Sequence, residues 1–325
     1  MTYKKIAELA GVSVSTVSKV MSGSHEISRD TAQRILLIAH EHHTVPPRYH
    51  RDRVGTRVAI IAPEIVSVFY SASVTAIAAE LEARGIVPSV YITNFDKRKT
   101  ARTVSSIIDS GIDGIISFED LASVPALPPT VRFSAEPADH GDSIATDYAS
   151  AIFEAVELLV KSGHTDIGFV GERLTGLKLE LFKKAAAGLG IVPNEKNIFI
   201  SRKRFEQIGY EAVEYYVSRK TLPTALLCAY DEVAMGAVHA FARHGIRVPE
   251  DISVIGINDI PFASYANTPL TTISTGDSGA ARLAVSMLCE RIGDPYRCKP
   301  RHVVLKCELV IRDSTADPRK KERLN

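Results

Sequence analysis

The sequence predicts a small all-α head joined to an α/β core of two doubly wound, Rossmann-like subdomains. Three observations carry this expectation. The first 45 residues hold three short helical patterns and no strand pattern. From Thr56 onward, short β-branched or apolar runs alternate with amphipathic helical stretches, the texture of a parallel sheet covered by helices. These runs fall into two five-strand sets of similar spacing, which implies two subdomains of like topology with a cleft at the carboxyl ends of their strands.

In the head, Thr2 is positioned to cap a helix whose apolar positions are Ile6, Leu9 and Ala10, and Gly11 supplies the tight turn after it. Ser13 is positioned to cap a second helix with Val17, Val20 and Met21 on one side, stopped by Ser22-Gly23-Ser24. A third runs from a Ser28 cap through Ile35, Leu36, Ile38 and Ala39 and ends before Pro46-Pro47. The head therefore spans 1–45, a linker 46–56, and the core 57–325.

The first strand set is Arg57–Ile61, Val87–Ile92, Gly114–Ser117, Val131–Phe133 and Ile144–Thr146. The second is Ile167–Gly171, Ile198–Ile200, Ala225–Ala229, Ser253–Ile257 and Thr271–Ile273. A final strand, Val303–Ile311, is long enough to serve both halves. One subdomain then covers about 57–146 and 277–306, the other about 147–276 and 307–315. Asp313 to Asn325 is charged without a heptad pattern and reads as a loose tail, with 316–325 outside both subdomains.

At 325 residues, 45% hydrophobic and 24% charged, the chain has a globular balance that excludes a mainly disordered or collagenous protein. No run reaches 18 apolar residues, and the opening Met1-Thr2-Tyr3-Lys4-Lys5 lacks an apolar signal core. The expected place is the cytoplasm, with no membrane partner. Cys228, Cys289, Cys298 and Cys307 form no Cys-x-x-Cys pair, so they read as reduced, mostly buried thiols. The net charge of +1 hides an asymmetry: residues 1–58 carry nine Lys/Arg against five Asp/Glu. That basic end either meets a polyanion or is a solvated face.

Ala7 where two helices cross, Gly11 in the turn and Val17 locking the second helix satisfy the spacing of a helix-turn-helix. The exposed face of the second helix offers Ser15, Thr16 and Lys19, two hydroxyls and a cation able to reach base edges and phosphates.

At this point the chain resembles the lactose-repressor/galactose-repressor family of bacterial transcription regulators. The resemblance rests on Ile6-Ala7-Glu8-Leu9-Ala10-Gly11-Val12-Ser13, Ser15-Thr16-Val17-Ser18-Lys19-Val20, and Ile27-Ser28 with Thr31 and Arg34-Ile35. It continues through Gly163-His164 with Ile167-Gly168-Phe169-Val170-Gly171, and Pro223-Thr224-Ala225. Asp231-Glu232-Val233-Ala234-Met235-Gly236-Ala237, Val248-Pro249-Glu250-Asp251-Ile252-Ser253-Val254-Ile255-Gly256 and Pro269-Leu270-Thr271-Thr272-Ile273 complete it, in the expected order over nearly the whole chain.

The resemblance implies a homodimeric repressor that binds a near-palindromic double-stranded operator, with a core like the type I periplasmic sugar-binding proteins. It places Val14, Ser15 and Lys19 at base edges, with Ser13, Thr16 and Ser22 nearer the backbone; Lys19 reads either a base or a phosphate. Family members follow the head with a hinge helix whose Leu wedges into the minor groove. This chain has Arg53 at that place, so either Arg53 with Arg48 or Arg51 probes a narrow minor groove, or the segment is a basic linker touching phosphates.

For the effector, the resemblance points to Glu64, Phe69 and Tyr70 after the first strand, and to Lys178 where the family has an Arg. Phe69 and Tyr70 either face a sugar ring or pack in the core. Lys cannot make the planar two-point bond of Arg, so the contact at Lys178 must differ. Tyr230-Asp231 and Asn258-Asp259 follow strand ends and suit vicinal hydroxyls, although Asp231 and Asp259 equally suit helix caps. Asp147-Tyr148 occupies the family's Asp-Asn position, and Ala151 replaces a usual Gly. A sugar-like small molecule is the implied effector; a nucleobase, a phosphorylated ligand or a degenerate cleft are the alternatives.

An enzyme reading finds no reaction centre. Gly171-Glu172-Arg173-Leu174-Thr175-Gly176-Leu177-Lys178 looks like a phosphate loop, but Leu177 intervenes before the Lys and Leu179 follows where a magnesium-holding hydroxyl belongs. His40, His42 and His43 have metal-like spacing but sit where a helix ends beside a basic linker, which favours the helix dipole instead. No catalytic residue, metal or cofactor is expected. A solute-binding protein of a transport system would share the core but carry an export signal in place of the head.

Overall fold

A computed structural model of the chain describes residues 2–22, 26–41, 56–121, 127–137, 141–294 and 299–318. The head contains α1 (Tyr3–Ala10), α2 (Val14–Ser22) and α3 (Arg29–Glu41). Ile6, Ala7, Ala10, Val17, Val20, Met21, Ile35 and Ala39 form its core. Two details differ from the sequence reading. Leu9 is 49% exposed: the buried arc runs from Ile6 through Ala10 to Ala7, and Leu9 lies about 60° to the other side of Ile6. Thr2 makes no side-chain cap bond; only its backbone carbonyl serves α1, accepting from the N–H groups of Lys5 and Ile6.

The chain divides into two compact units, one of Met1–Val66, Tyr70–Ala145 and Asp277–Val303, the other of Ser67–Phe69, Thr146–Gly276 and Val304–Asn325. The first sheet is built from β1 (Arg57–Ala62), β2 (Val87–Ile92), β3 (Gly114–Ser117), β4 (Thr130–Phe133) and β5 (Asp142–Asp147), running in parallel in the order β2-β1-β3-β4-β5. The second repeats that order with β6 (Ile167–Glu172), β7 (Ile198–Ser201), β8 (Ala225–Cys228), β9 (Ser253–Asn258) and β10 (Thr271–Ser274) as β7-β6-β8-β9-β10. Helices α4 (Val68–Glu82), α5 (Lys97–Asp109), α6 (Tyr148–Lys161), α7 (Gly176–Gly188), α8 (Glu206–Arg219), α9 (Asp231–Arg243) and α10 (Asp277–Gly293) supply the crossovers and coverage. Every residue of β6 is buried, as is all of β1 after Arg57, which is why these strands read as continuous apolar runs rather than alternating ones.

The predicted long final strand is two strands, β11 (His302–Lys306) in the first sheet and β12 (Glu308–Val310) antiparallel to β10 in the second. The ladder breaks at Cys307, because one strand edge cannot satisfy two separate sheets. Residues 314–316, expected to belong to a loose tail, are instead tied into the second unit. Ser314 is fully buried, its hydroxyl donating to the Val254 carbonyl at 2.6 Å, and the Ala316 N–H donates to Ser253 Oγ at 3.0 Å. His164 joins this seam, with Nε2 3.0 Å from the Ala316 carbonyl oxygen and Nδ1 3.0 Å from Thr224 Oγ1. Among the described residues Cys228, Cys289 and Cys307 are free thiols, but only Cys228 is fully buried, so the expectation of mostly buried thiols is corrected for the other two.

Candidate functional site

The exposed surface of α2 is set by a tight reversal between α1 and α2. Gly11 takes φ 63°, ψ 37°, a left-handed conformation that a side chain would strain. Ala7 and Val17, at 4% and 0% exposure, let the helices cross closely and fix α2 in place. Ser13 Oγ accepts from the Thr16 N–H at 3.1 Å, which caps α2 as its sequence position predicted. The same hydroxyl lies 2.7 Å from Ser15 Oγ and 2.8 Å from Thr16 Oγ1, so three hydroxyls cluster at the start of the helix. Val14 is 47% exposed, and Ser15 and Lys19 are exposed beside it. Lys19 is ion-paired to Glu26, in the turn before α3, and holds that carboxyl below the usual carboxylate range. An apolar group, hydroxyls and one amine on one solvent-facing helix surface are the groups that contact thymine methyls, base edges and phosphates. Ser22 ends α2, with its side chain outside the described residues. Arg48, Arg51 and Arg53, with His42 and His43, also lie outside the described residues.

In the second unit Asp147 precedes α6, Lys178 lies in the first turn of α7, Tyr230-Asp231 follows β8, and Asn258-Asp259 closes β9. The cap alternative for Asp231 and Asp259 is not what the structure shows. Asp147 is the residue that caps, accepting from the Ser150 N–H at 3.0 Å, and this bond lowers its pKa. Asp231 is fully buried at the first position of α9 and bonds to β10 and to the loop after β9: Oδ2 accepts from the Ile260 N–H at 2.8 Å and Oδ1 from the Thr272 hydroxyl at 2.5 Å. Burial pushes its carboxyl up to about 6. A Cβ on Gly256 would lie 2.1 Å from Asp231 Oδ1, so glycine is what lets the carboxylate cross β9. Asp259 pairs with the Arg312 guanidinium at 2.7 Å, while Asn258, half-buried at φ 113°, ends β9 beside it.

Lys178 and Tyr230 are both engaged. The Lys178 amine donates to the Ala229 carbonyl at 2.8 Å and stands 4.8 Å from the centre of the Tyr148 ring. Its enclosure pushes the amine down to about 8, against the opposing pull of Asp231, Glu232 and Cys307. The Tyr230 hydroxyl donates to Glu172 Oε1 at 3.0 Å and accepts from the Phe205 N–H at 2.9 Å. Burial raises its pKa further. Arg204 completes the group, with Nε 3.2 Å from Glu172 Oε1 and its guanidinium 4.6 Å from the centre of the Phe205 ring. Glu172, Arg204, Phe205 and Arg312 were missed by sequence reasoning. The phosphate-loop look-alike around them is the end of β6 followed by a short turn into α7.

In the first unit the corresponding edge is aromatic. Tyr70 meets Phe95 edge-on at 6.2 Å and Phe118 at 5.6 Å, and Phe118 stacks on Phe133 at 4.5 Å with an interplanar angle of 7°. Glu64 is buried, with Oε2 accepting from the Val66 N–H at 3.1 Å. Phe69 is half-buried and belongs by its packing to the other unit. Thr93, fully buried, donates to Glu119 in a short hydrogen bond. Phe95, Phe118, Phe133, Thr93 and Glu119 escaped the sequence reading, although each lies at or within three residues of a strand's carboxyl end, and that position is the signal that finds them.

Among the described residues no group of three or more His, Cys, Asp or Glu side chains is arranged to hold a metal, and no helix is long and apolar enough to cross a membrane. Residues 2–46 match the profile of bacterial regulatory proteins, lacI family, and residues 156–315 match a periplasmic binding protein-like domain. The HTH-type transcriptional repressor PurR of Pasteurella multocida (strain Pm70) is 30% identical, covering 96% of this chain and 98% of the relative. The ribose operon repressor of Haemophilus influenzae is 26% identical over 96% of this chain and 98% of its own. In fold, the lac repressor dimer bound to operator and the anti-inducer ONPF matches with a TM-score of 0.74 at 23% identity, covering 97% of this chain and 99% of that one. The head, the doubled core and these likenesses agree: the chain belongs to the lacI family of bacterial regulatory proteins, DNA-binding transcription regulators with a helix-turn-helix head on a periplasmic-binding-protein-like core.

Proposed function

We propose that this regulator is a cytoplasmic homodimer that represses a carbohydrate-use operon, reading a near-palindromic operator with Val14, Ser15 and Lys19 of α2. Ser13, Thr16 and Ser22 then contact the backbone, and Arg48, Arg51 and Arg53 add minor-groove or phosphate contacts. The observation that carries this reading is the surface of α2, which is locked from behind by fully buried Val17 and presents Val14, Ser15 and Lys19 to solvent. Repressors among its relatives, one of them named for a ribose operon, support the sign and the carbohydrate-use operon. The dimeric, operator-bound state of the lac repressor supports the assembly. Membership in a family of regulators also agrees with the expectation that the chain is not an enzyme.

A small sugar-like effector is proposed for the carboxyl-end residues. Within the second unit, Asn258 beside the Asp259–Arg312 pair suits the hydroxyls of such a ligand. The test is selection of duplexes from a randomised library by the full chain, followed by thermal melting with mono- and disaccharides. An enriched palindrome and a melting temperature raised by a sugar are expected. Recovery of random sequences would overturn the DNA reading.

A second reading has its own support. The Lys178 amine, the Tyr230 hydroxyl and the Asp231 carboxylate are all engaged by protein groups. That commitment favours an effector other than a neutral sugar, such as a nucleobase or a phosphorylated compound, or no effector. Melting raised by such a compound and by none of the sugars would establish it.

A further inference from the structure

Lys19 is the single cation of α2, so whatever cationic contact this helix makes comes from one amine. That amine is held by the Glu26 carboxylate, seven residues later in the turn that precedes α3. Both side chains remain half or more exposed, 50% for Lys19 and 68% for Glu26, so the pair lies open on the head's surface and exchanges readily with other partners. A carboxylate beside a DNA-reading surface works against the phosphate polyanion, whose attraction for cations supplies nearly all sequence-independent affinity. Its presence there calls for a role other than adding affinity.

We propose that Glu26 is a specificity-determining residue that acts through Lys19, withholding the amine from phosphates so that random duplex does not recruit it. Against random DNA, freeing Lys19 only exchanges its pair with Glu26 for a phosphate contact. Against a site that offers the amine a base-edge acceptor such as guanine O6 or N7, the exchange returns a directed hydrogen bond. Glu26 thereby lowers non-specific binding more than specific binding, and specificity rises as their ratio. The two roles that the sequence left open for Lys19 then separate: on the operator it reads a base, and on random DNA it stays paired. The inference rests on the DNA-binding reading of α2.

The test measures binding of wild type, Glu26→Gln, Lys19→Met and the double variant to a random-sequence duplex and to a duplex selected by the wild type, between about 50 and 200 mM salt. Both positions are exposed, and circular dichroism checks that each variant keeps its helices. Glu26→Gln is expected to tighten random-duplex binding about fivefold to tenfold and to steepen its salt slope by about one, as one more phosphate contact forms. The selected duplex gains less, so the specificity ratio falls. In the double variant the gain disappears. An unchanged random-duplex affinity and slope in Glu26→Gln overturns the proposal. A gain that persists in the double variant overturns it too, since Glu26 would then act on phosphates directly. Absence of wild-type binding to either duplex at the lowest salt overturns both this inference and the reading of α2.

Discussion

Asp231 gives the sharpest prediction about the core because its environment is closed on every side. The carboxylate is fully buried, accepts from the Ile260 N–H and the Thr272 hydroxyl, and passes over Gly256 where no side chain fits. Burial disfavours the charge and outweighs those two bonds, moving the carboxyl from 3.8 up to about 6. The folded-state value is raised, so its stabilisation is fully present below about pH 4 and is lost as pH rises through 6. The displacement corresponds to about 3 kcal/mol. Asp231→Asn cannot titrate but keeps a carbonyl acceptor in the same place. Urea unfolding followed by tyrosine fluorescence, the chain having no Trp, would be run on both proteins from about pH 4 to 8. Stability of the wild type minus that of Asp231→Asn should fall by about 2–2.5 kcal/mol across that range, most steeply near pH 5, midway between the two pKa values. Parallel curves would show that burial of this carboxyl does not govern its titration, and the reasoning would be refuted.

Other predictions concern the head, the seam and β9. Ile6→Ala should cost the head about 2–5 kcal/mol and abolish DNA binding while the core transition stays in place, as seen by melting and gel shift together. Ser13→Ala removes the α2 cap and should cost about 1 kcal/mol, measurable as weaker binding to a selected duplex. Burial lowers the pKa of His164, so stability should fall with decreasing pH below about 6.5 and do so less in His164→Gln. This is the opposite sign to Asp231, and chemical denaturation across the same pH series separates the two. Gly256→Ala should cost about 1–3 kcal/mol by crowding Asp231, and a melting temperature equal to wild type would contradict the close approach.

The fold was legible where burial acts on both faces of an element. The apolar runs of β1 and β6 announce central parallel strands with no alternation to decipher. Head packing was legible too, apart from Leu9, because helical spacing admits neighbours on either side of Ile6 and only packing against α2 and α3 decides between them. The division at Cys307 was not readable, since Val303–Ile311 has the composition of one strand and the break comes from having two sheets to serve. At the site, Gly11, Ser13 and Val17 announce themselves through local backbone rules. The Glu172–Tyr230–Arg204 group joins three segments distant in sequence, and the ring set of Tyr70, Phe95, Phe118 and Phe133 joins four. Long-range pairings of that kind have no local signature. The Lys19–Glu26 pair went unread for a related reason: a seven-residue separation across a turn is neither a helical neighbour nor a motif.

The central claim is that this chain reads DNA sequence and answers to a small molecule. It is tested most directly by titrating the purified protein against the palindromes upstream of its own and adjacent genes. The titration is run at two salt concentrations, without and with a panel of mono- and disaccharides. Binding to one palindrome well above that to random duplex, abolished or strengthened by one of the sugars, is expected. Binding of equal strength to every duplex, rising and falling with salt alone, would contradict it.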